Sequence, residues 1–242
     1  MYLVLTMAGK YSRFRLFGSK VPKYLLPLGS GTILATIIKN FLNSAPYCKL
    51  KLIANRQDQI FYPIVRSIMD KYGVDRKSLI YVDDTSSQLE TALCSSELID
   101  FKQFAYPLAF ANIDTVLAER HNFFEALKKS GPETGLLDTF KGSNKQYSYA
   151  RVDEQGRVFD VVDKNVISSY ACSGLYGFGS YSTMIEIATE LLRTRREANF
   201  TDLYNKYLSE DKEVSALYTE DPKNTIVLGT PEEYVINIHR FK

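Results

Sequence analysis

The sequence predicts an α/β fold in which a mostly parallel, mixed sheet is covered by helices and a small β extension follows in the second half. Of the 242 residues, 45% are apolar and 24% are charged, as in domains that bury a sizeable core. In the first half, short apolar runs alternate with helical patterns of about 10 to 15 residues, as parallel crossovers require. In the second half, several strand patterns follow one another directly. We therefore expect one domain over residues 1–242.

Hydrophobic periodicity and the residues that cap or break it define the elements of the first half. The apolar run from Tyr2 to Thr6 is typical of a buried strand, and a basic loop follows it as far as Pro22. Thr32 is placed to cap a helix in which apolar residues recur every three or four positions. The other predicted segments are an apolar run at 24–28, strands at 49–54, 78–82 and 104–111, and helices at 59–72, 87–98 and 122–129.

The second half contains the β extension. Residues 153–156, with the sequence DEQG, are typical of a hairpin turn between two strands. The predicted segments are strands at 135–141, 146–152, 157–162, 171–178 and 213–218, helices at 181–193 and 201–208, and a C-terminal helix from Pro231.

Charge and residue counts exclude several classes of protein. Thirty Lys and Arg against 28 Asp and Glu give a net charge of +2, which lacks the basic excess of a dedicated nucleic-acid binder. Cys48, Cys94 and Cys172 are odd in number and widely spaced, which fits neither a disulfide framework nor a paired-cysteine zinc site and favours the cytoplasm. His121 and His239 have no second ligand at metal-binding spacing. The N-terminus shows no pattern of a signal peptide or membrane span, so we expect no membrane insertion.

The loop after the first strand carries a candidate phosphate-binding pattern. In an open parallel sheet, ligands bind where the strands end at their carboxyl edge. Gly9 would let backbone N–H groups approach an anion closely, and Arg13 and Lys23 would supply charges suited to phosphate oxygens. Pro22 would hold the chain before Lys23 in a fixed direction. Taken alone, these residues are as compatible with a basic surface loop as with a phosphate-binding loop.

The whole loop resembles the signature of sugar-1-phosphate nucleotidyltransferases, in the branch found in bacterial surface-polysaccharide gene clusters. That signature reads roughly M-A-G-x-G-S-R-F and then G-x-x-x-P-K-x-L-L, and the chain reads MAGKYSRF at 7–14 and GSKVPKYLL at 18–26. The resemblance implies a Rossmann-like three-layer sandwich, with Ala8 and Gly9 against the nucleotide. It also implies that Arg13 and Lys23 are catalytic residues that bind the triphosphate and the departing pyrophosphate. Tyr11 replaces the second loop glycine, so either a positive φ there is costly for tyrosine or the loop takes a different path.

Two later segments of the first half match the same family. Gln88 and Thr91 stand where the family has a loop and helix start that contacts the base, so the resemblance implies that they bind the nucleotide. An ordinary N-cap cluster is the alternative for Thr91. The run from Asn112 to Asp114 resembles the family's N-x-D, whose aspartate holds Mg²⁺. Mg²⁺ prefers one or two carboxylates plus substrate phosphates. A capping role is the alternative for Asp114.

The second half supplies the acceptor side of the implied site. Asp163 and Lys164 stand where the family has a Glu-Lys pair, which implies that Asp163 binds sugar hydroxyls and that Lys164, a third catalytic residue, holds the substrate phosphate. A solvated turn is the alternative for this pair. Gly174 would allow close approach of the acceptor. Val227 replaces a second metal-binding aspartate of many members, which leaves Asp114 as the one placed metal ligand.

The resemblance, which runs from residue 7 to residue 234, implies that an acceptor phosphate attacks the α-phosphorus of a nucleoside triphosphate. A sugar 1-phosphate would give a nucleoside-diphosphate sugar for surface polysaccharides such as a capsule, with release of pyrophosphate. The nucleophile is already a dianion near neutral pH, so positioning and charge neutralisation are the protein's tasks.

Three alternatives to that reaction stay open. One is a cytidylyltransferase for a small non-sugar phosphate such as an aminoalcohol phosphate. Another is a noncatalytic nucleotide-binding relative, suggested by Tyr11 and Val227. The third is a glycosyltransferase of related fold, against which the missing D-x-D near Asp114 argues. The base, the acceptor and a homodimer are left open as well.

Overall fold

The computed structural model describes residues 1–241. The strands are β1 (Tyr2–Met7), β2 (Pro27–Leu28), β3 (Gly31–Thr32), β4 (Lys49–Asn55), β5 (Leu79–Val82), β6 (Leu108–Asn112), β7 (Thr115–Leu117), β8 (Gly135–Lys141), β9 (Tyr149–Val152), β10 (Val158–Val162), β11 (Tyr170–Phe178), β12 (Val214–Thr219) and β13 (Thr225–Val227). The helices are α1 (Ser12–Leu16), α2 (Ile33–Ser44), α3 (Tyr62–Lys71), α4 (Gln88–Leu93), α5 (His121–Lys129), α6 (Tyr181–Thr194), α7 (Phe200–Ser209) and α8 (Pro231–Asn237).

Within residues 1–241, nine strands form one mixed sheet. Its parallel part has the order β5-β4-β1-β6, so β1 lies between strands that the chain reaches by separate crossovers. Strand β11 continues the sheet antiparallel to β6. Beyond β11, the strands β8 and β12 extend one branch and β9 and β10 another. The predicted α/β class, the parallel centre and the β extension in the second half are confirmed.

Side chains of β1 pack against helices on both faces of the sheet, because successive residues of a strand point to opposite sides. Leu3 and Leu5 pack with the apolar faces of α2, α3 and α5. Val4 packs on the other face with α4, α6 and α7. The result is the three-layer arrangement that the sequence predicts. Among the helices within residues 1–241, none combines the length and the hydropathy that crossing a bilayer requires.

Helix α2 begins where the sequence predicts. The Thr32 Oγ1 accepts a hydrogen bond from the Ala35 N–H at 3.2 Å, which satisfies one of the free donors of the first turn. Its apolar positions, including Ile33 and Phe41, are buried against the sheet. This anchoring places the hairpin of β2 and β3, and with it the end of the basic loop, against the core.

Several elements differ from the predicted ones. The strand predicted at 146–152 begins at Tyr149. The helices predicted at 59–72 and 87–98 are α-helical over Tyr62–Lys71 and Gln88–Leu93 and 3-10 helical over Arg56–Phe61 and Cys94–Glu97. The basic loop after β1 contains α1, a single turn too short to show a periodic pattern. Strand β6 begins at Leu108 rather than at 104, directly after Pro107, which offers no N–H for a ladder. The three-residue strands β7 and β13 pair antiparallel beside the main sheet. The last pair matters for the site, because it brings Val227 next to Thr115.

Candidate active site

A cleft opens at the carboxyl ends of β1 and β6, the adjacent strands between which the chain changes direction in the sheet. Ligands of open α/β sheets bind at such a switch point. The cleft holds two adjoining cavities that share Gln88, Asn112 and Asp114. One, here the loop cavity, has a volume of about 580 Å³, and the other, here the extension cavity, about 370 Å³.

Each of the ten residues that the sequence assigned to the site lines at least one of these cavities. The loop cavity is lined by Ala8, Gly9, Lys23, Gln88, Thr91 and Asp114. The extension cavity is lined by Arg13, Gln88, Asp114, Asp163, Lys164 and Gly174. Residues far apart in the chain are thus brought together in one cleft, while their individual roles stay predictions.

Asn55, the last residue of β4, anchors the start of the loop after β1. The Asn55 Nδ2 donates to the Ala8 carbonyl oxygen at 3.2 Å and to the Asp84 Oδ1 at 2.9 Å. Lys10 forms an ion pair with Asp84 at 3.1 Å. No atom within residues 1–241 other than its chain neighbours lies within 4 Å of the place that a Cβ on Gly9 would take. A ligand can therefore approach the backbone at Gly9 closely.

Tyr11 occupies the position of the family's second loop glycine in a left-handed conformation, with φ 46° and ψ 34°. This conformation costs a non-glycine residue about 1 to 2 kcal/mol. The Tyr11 hydroxyl reaches the carbonyl oxygen of Met7 and lies 2.8 Å from the Asp58 Oδ2. Burial, followed by the nearby Tyr24 and Asp58, raises the pKa of Tyr11, so its hydroxyl stays protonated and donates. Of the two alternatives for this position, the structure shows the positive φ, and the side chain compensates by bonding to the protein.

Lys23 is a nearly buried cation at the boundary of the two cavities. Its Nζ lies 3.0 Å from the Asp114 Oδ2, and its side chain is only 10% exposed against 32% for Asp114. The Nζ also lies 5.8 Å from the centroid of the Phe14 ring. Pro22 precedes it with an extended ψ of 144° and turns the chain into the site. Arg13, the second residue of α1, is exposed and lines the rim of the extension cavity.

Gln88 and Thr91 are both bonded to protein where they line the loop cavity. The Gln88 Nε2 donates to the Asn112 Oδ1 at 2.8 Å, and its Oε1 accepts from the Phe200 N–H at 3.4 Å. Thr91 is buried and donates to the Ser87 carbonyl oxygen at 3.2 Å, within the residues that cap α4. Gln88 thus joins the end of β6 to the start of α7, and Thr91 stabilises the helix start that forms the cavity wall.

Asp163 and Lys164 form the turn after β10 on the far side of the cleft. The Asp163 Oδ1 accepts from the Ser148 Oγ at 2.8 Å, and its Oδ2 lies 3.2 Å from the Lys164 Nζ. Lys164 has a φ of 53°, and its N–H donates to the Tyr147 carbonyl oxygen at 3.1 Å. Its side chain is 64% exposed. The pair is therefore both a turn and part of the cavity wall, with an exposed ammonium beside the Asp163 carboxylate.

Gly174 lies in a bulge of β11 at the floor of the extension cavity. The register of β11 against β8 shifts between Cys172 and Tyr176, and Gly174 has a φ of 90°. A Cβ there would lie 3.0 Å from the Asn112 Nδ2. Both conformation and space therefore require glycine. Asn112 lines both cavities, a role that sequence reasoning did not assign although its position at the end of β6 signals it.

The surroundings of Asp114 leave one carboxylate that could bind a metal ion. The Leu228 N–H donates to the Asp114 carbonyl oxygen at 2.7 Å, which fixes the end of β13 against it. Val227 therefore lies beside Asp114, and its apolar side chain lines the extension cavity where the family's second aspartate is expected. Within residues 1–241 no group of three His, Cys, Asp or Glu is arranged to hold a metal. A single, partly exposed carboxylate suits Mg²⁺ that takes its remaining ligands from substrate phosphates and water.

The rest of the extension cavity is rich in amide and hydroxyl groups that sequence reasoning missed. These residues are Gln146, Ser148, Ser173, Asn199, Thr201 and Thr230. Glu233 also lines it, and its carboxylate accepts from the Tyr147 hydroxyl and the Thr230 N–H, both at 3.0 Å. Several lie in loops without a periodic pattern, so their convergence could not be read from the sequence.

Comparisons with known proteins agree on the fold. No protein-family model matches the chain, and no curated protein matches it. Among solved structures, a nucleoside-diphosphate-sugar pyrophosphorylase from Vibrio cholerae RC9 superposes with a TM-score of 0.80 at 23% identity, over 98% of this chain and 99% of that one. A UDP-glucose pyrophosphorylase complexed with UDP-glucose gives 0.79 at 16% identity, over 100% and 98% of the two chains. A Bacillus anthracis protein assigned as a glucose-1-phosphate thymidylyltransferase, in complex with a sucrose, gives 0.76 at 16%, over 100% and 95%.

At these identities the likeness establishes a shared fold over the length of the chain. All three neighbours carry names of the enzyme class that the loop signature resembles.

Proposed function

We propose that this protein is a nucleotidyltransferase that transfers a nucleoside monophosphate from a nucleoside triphosphate to a sugar 1-phosphate. The products are a nucleoside-diphosphate sugar and pyrophosphate. One observation carries the proposal: the residues that the signature assigns to nucleotide, metal and acceptor come from separate segments between positions 8 and 174 and line two adjoining cavities. The cavities meet at Asp114, where a nucleotide in one and an acceptor in the other would bring their phosphates together.

Charge neutralisation by three cations is the main catalytic contribution in this proposal. An acceptor phosphate dianion attacks the α-phosphorus and pyrophosphate leaves on the opposite side, so no protein group has to remove a proton. Lys23, next to the shared boundary, would exchange its contact with Asp114 for a phosphate oxygen. Lys164 would hold the acceptor phosphate, and Arg13 at the rim would stabilise the pyrophosphate. Groups fixed before the reaction lower the barrier without having to reorganise.

Asp114 would hold Mg²⁺ in this site. When bound, the ion would neutralise charge on the phosphate oxygens. Asp114 is suited to this because its carbonyl oxygen is tied to β13 while its carboxylate, 32% exposed, faces the cleft. The neighbouring Val227 offers no second ligand, so metal affinity before substrate binding is expected to be low.

The lining of the extension cavity favours a sugar over an aminoalcohol as the acceptor. Amide and hydroxyl side chains can each donate and accept, which suits a ring of hydroxyl groups. A cationic aminoalcohol would instead be held by a free carboxylate or by a cage of aromatic faces. Asp163 accepts from Ser148 and pairs with Lys164 until that ammonium turns to the acceptor phosphate, and Glu233 is bonded to Tyr147 and the cap of α8. The polar lining therefore supports a polyhydroxylated phosphate.

A matrix of nucleoside triphosphates against phosphorylated acceptors tests the proposal. ATP, CTP, GTP, UTP and dTTP would each be combined with a panel of sugar 1-phosphates and with phosphocholine and phosphoethanolamine, and pyrophosphate release would be measured with Mg²⁺ present. We expect release with at least one sugar 1-phosphate. Release with an aminoalcohol phosphate alone would replace the sugar assignment. Nucleotide binding by calorimetry together with a blank matrix would favour a noncatalytic binding protein.

The proposed product has a further use in the cell. We propose that the nucleoside-diphosphate sugar serves surface polysaccharide synthesis, which rests on the resemblance of the loop signature. Deletion of the gene should reduce surface polysaccharide, and restoration by a copy that encodes Lys23→Met should fail. Normal polysaccharide in the deletion strain would remove this part of the proposal.

A further inference from the structure

A buried carboxylate, Asp58, lies beneath the loop that carries the signature. It belongs to a 3-10 turn, Arg56–Phe61, that follows β4, and it is 3% exposed. Its Oδ2 accepts hydrogen bonds from the Tyr11 hydroxyl at 2.8 Å and from the Tyr24 hydroxyl at 3.3 Å. Burial of a carboxylate is costly unless its oxygens are bonded. Both bonds of this one come from tyrosines of the signature loop.

The two tyrosines lie at opposite ends of that loop. Tyr11 follows Gly9 by two residues and precedes Arg13 by two, and Tyr24 directly follows Lys23. Tyr24 is fully buried, and the two rings pack edge to face with centroids 5.9 Å apart. One carboxylate oxygen therefore connects the residues that flank the predicted phosphate contacts on both sides.

The conformation of Tyr11 makes such an anchor necessary. Glycine adopts a φ of 46° without cost, whereas tyrosine does not. The left-handed residue starts α1, whose first hydrogen bond runs from the Arg15 N–H to the Tyr11 carbonyl oxygen at 3.0 Å. The Tyr11 hydroxyl contacts both the Met7 carbonyl oxygen and Asp58, and together these contacts fix the ring and the backbone from which α1 and Arg13 project.

We propose that Asp58 is a positioning residue for the phosphate-binding loop, which it holds through Tyr11 at one end and through Tyr24, next to Lys23, at the other. It touches no substrate in this account. The inference rests on the proposed function for its kinetic readout, but its binding and exchange readouts do not require turnover.

Three substitutions separate the contacts. Tyr11→Phe keeps the ring and removes the hydroxyl that contacts both Met7 and Asp58. Asp58→Ala removes the carboxylate acceptor and leaves the Met7 contact in place, and Asp58→Asn keeps one acceptor oxygen. The matched control is Asp70→Asn. Asp70 lies in the neighbouring helix α3, and its exposed carboxylate pairs with Arg76. We expect Tyr11→Phe to raise KM for the nucleotide about tenfold, the effect of one lost bond to a charged group. KM for the acceptor should stay within twofold, and Asp58→Asn should recover most of the loss seen in Asp58→Ala.

Two further measurements keep the positioning role testable whatever the reaction is. Kd would be measured by calorimetry for whichever of ATP, CTP, GTP, UTP and dTTP binds wild type with Mg²⁺. Hydrogen exchange would be followed in peptides that cover residues 9–26 without nucleotide. Exchange there should accelerate about tenfold in Tyr11→Phe and Asp58→Ala, since opening of the loop is a local event, and should be unchanged in Asp70→Asn.

The outcomes distinguish the two proposals. A wild-type protein that binds nucleotide but releases no pyrophosphate would contradict the proposed function, while Kd and exchange would still decide the role of Asp58. Loop exchange and nucleotide Kd within twofold of wild type in Tyr11→Phe and Asp58→Ala would overturn the positioning role. If wild type binds no nucleotide, unchanged exchange alone would overturn it. If Asp58→Ala does not fold, Tyr24→Phe replaces it, because the Tyr24 hydroxyl bonds to Asp58 and not to Met7. Unchanged loop exchange in both Tyr24→Phe and Tyr11→Phe would then overturn the positioning role.

Discussion

Substitution of Lys23 by methionine separates catalysis from stability. Methionine is unbranched and of similar length, so the packing of the chain beside Phe14 is kept while the charge is removed. In wild type the Nζ lies 3.0 Å from the Asp114 Oδ2, and the Lys23 side chain is 10% exposed. The cation therefore acts in a site with little water, where a fixed charge has a larger effect than at the surface.

The expected effects on rate and on stability differ in size. Loss of one fixed group that stabilises transition-state charge lowers kcat by about 10² to 10³. Asp114 is 32% exposed and can be solvated once its partner is gone, so the free energy of unfolding should change by less than about 1 kcal/mol. We therefore expect Lys23→Met to be folded and nearly inactive.

Pyrophosphate release under saturating substrates, with thermal melting in parallel, provides the assay. The matched control is Lys20→Met, which removes an exposed lysine three positions earlier in the same loop and should keep full activity. Arg13→Ala should also lower the rate by orders of magnitude. Near-wild-type turnover in both Lys23→Met and Arg13→Ala would refute the assignment of the two cations, and a large loss of stability in Lys23→Met would refute the reasoning about Asp114.

Three other predictions concern the surroundings of the site. Asp138→Asn should lower the free energy of unfolding in urea by about 3 to 5 kcal/mol, because it leaves the guanidinium of Arg120 buried without its carboxylate partner at 2.8 Å; a loss below about 1 kcal/mol would contradict this. Burial raises the pKa of the Cys172 thiol to about 12, so its thiolate stays scarce until the pH approaches that value. Alkylation by iodoacetamide at pH ~8.5, near the pKa of a free thiol, should label it in urea but not in the native protein. Native labelling at the rate of free cysteine would disprove the shift. Val227→Asp should lower the Mg²⁺ concentration for half-maximal activity severalfold, since it adds a carboxylate beside the proposed ligand; an unchanged midpoint would place the ion elsewhere.

The sequence predicted those parts of the fold that depend on local pattern. Thr32 and the apolar repeat after it defined α2 because a cap and a buried face are local properties. The DEQG turn defined the hairpin of β9 and β10, where Gly156 has a φ of 80°. The short strands β7 and β13 were not predicted, because three residues cannot show alternation and their pairing joins segments more than 100 positions apart.

The candidate site was predicted where a signature marks it and missed where only the fold brings residues together. The signature marked Lys23 and Asp114, and these form the ion pair at the centre of the cleft. The departure at Tyr11 was visible in the sequence. Its partner Asp58 was not, since that contact depends on how the turn after β4 lies beneath the loop. Asn112 could have been found from its place at the end of β6.

The fate of the two ends of the triphosphate tests the central claim most directly. The active pair from the substrate matrix would be incubated with nucleotide labelled at the α-phosphorus and, separately, at the γ-phosphorus. The proposed reaction requires the α label to appear in the nucleoside-diphosphate sugar and the γ label in pyrophosphate. Transfer of the γ label to the acceptor, or its release as orthophosphate, would mean that the cleft catalyses a different reaction and would contradict the account.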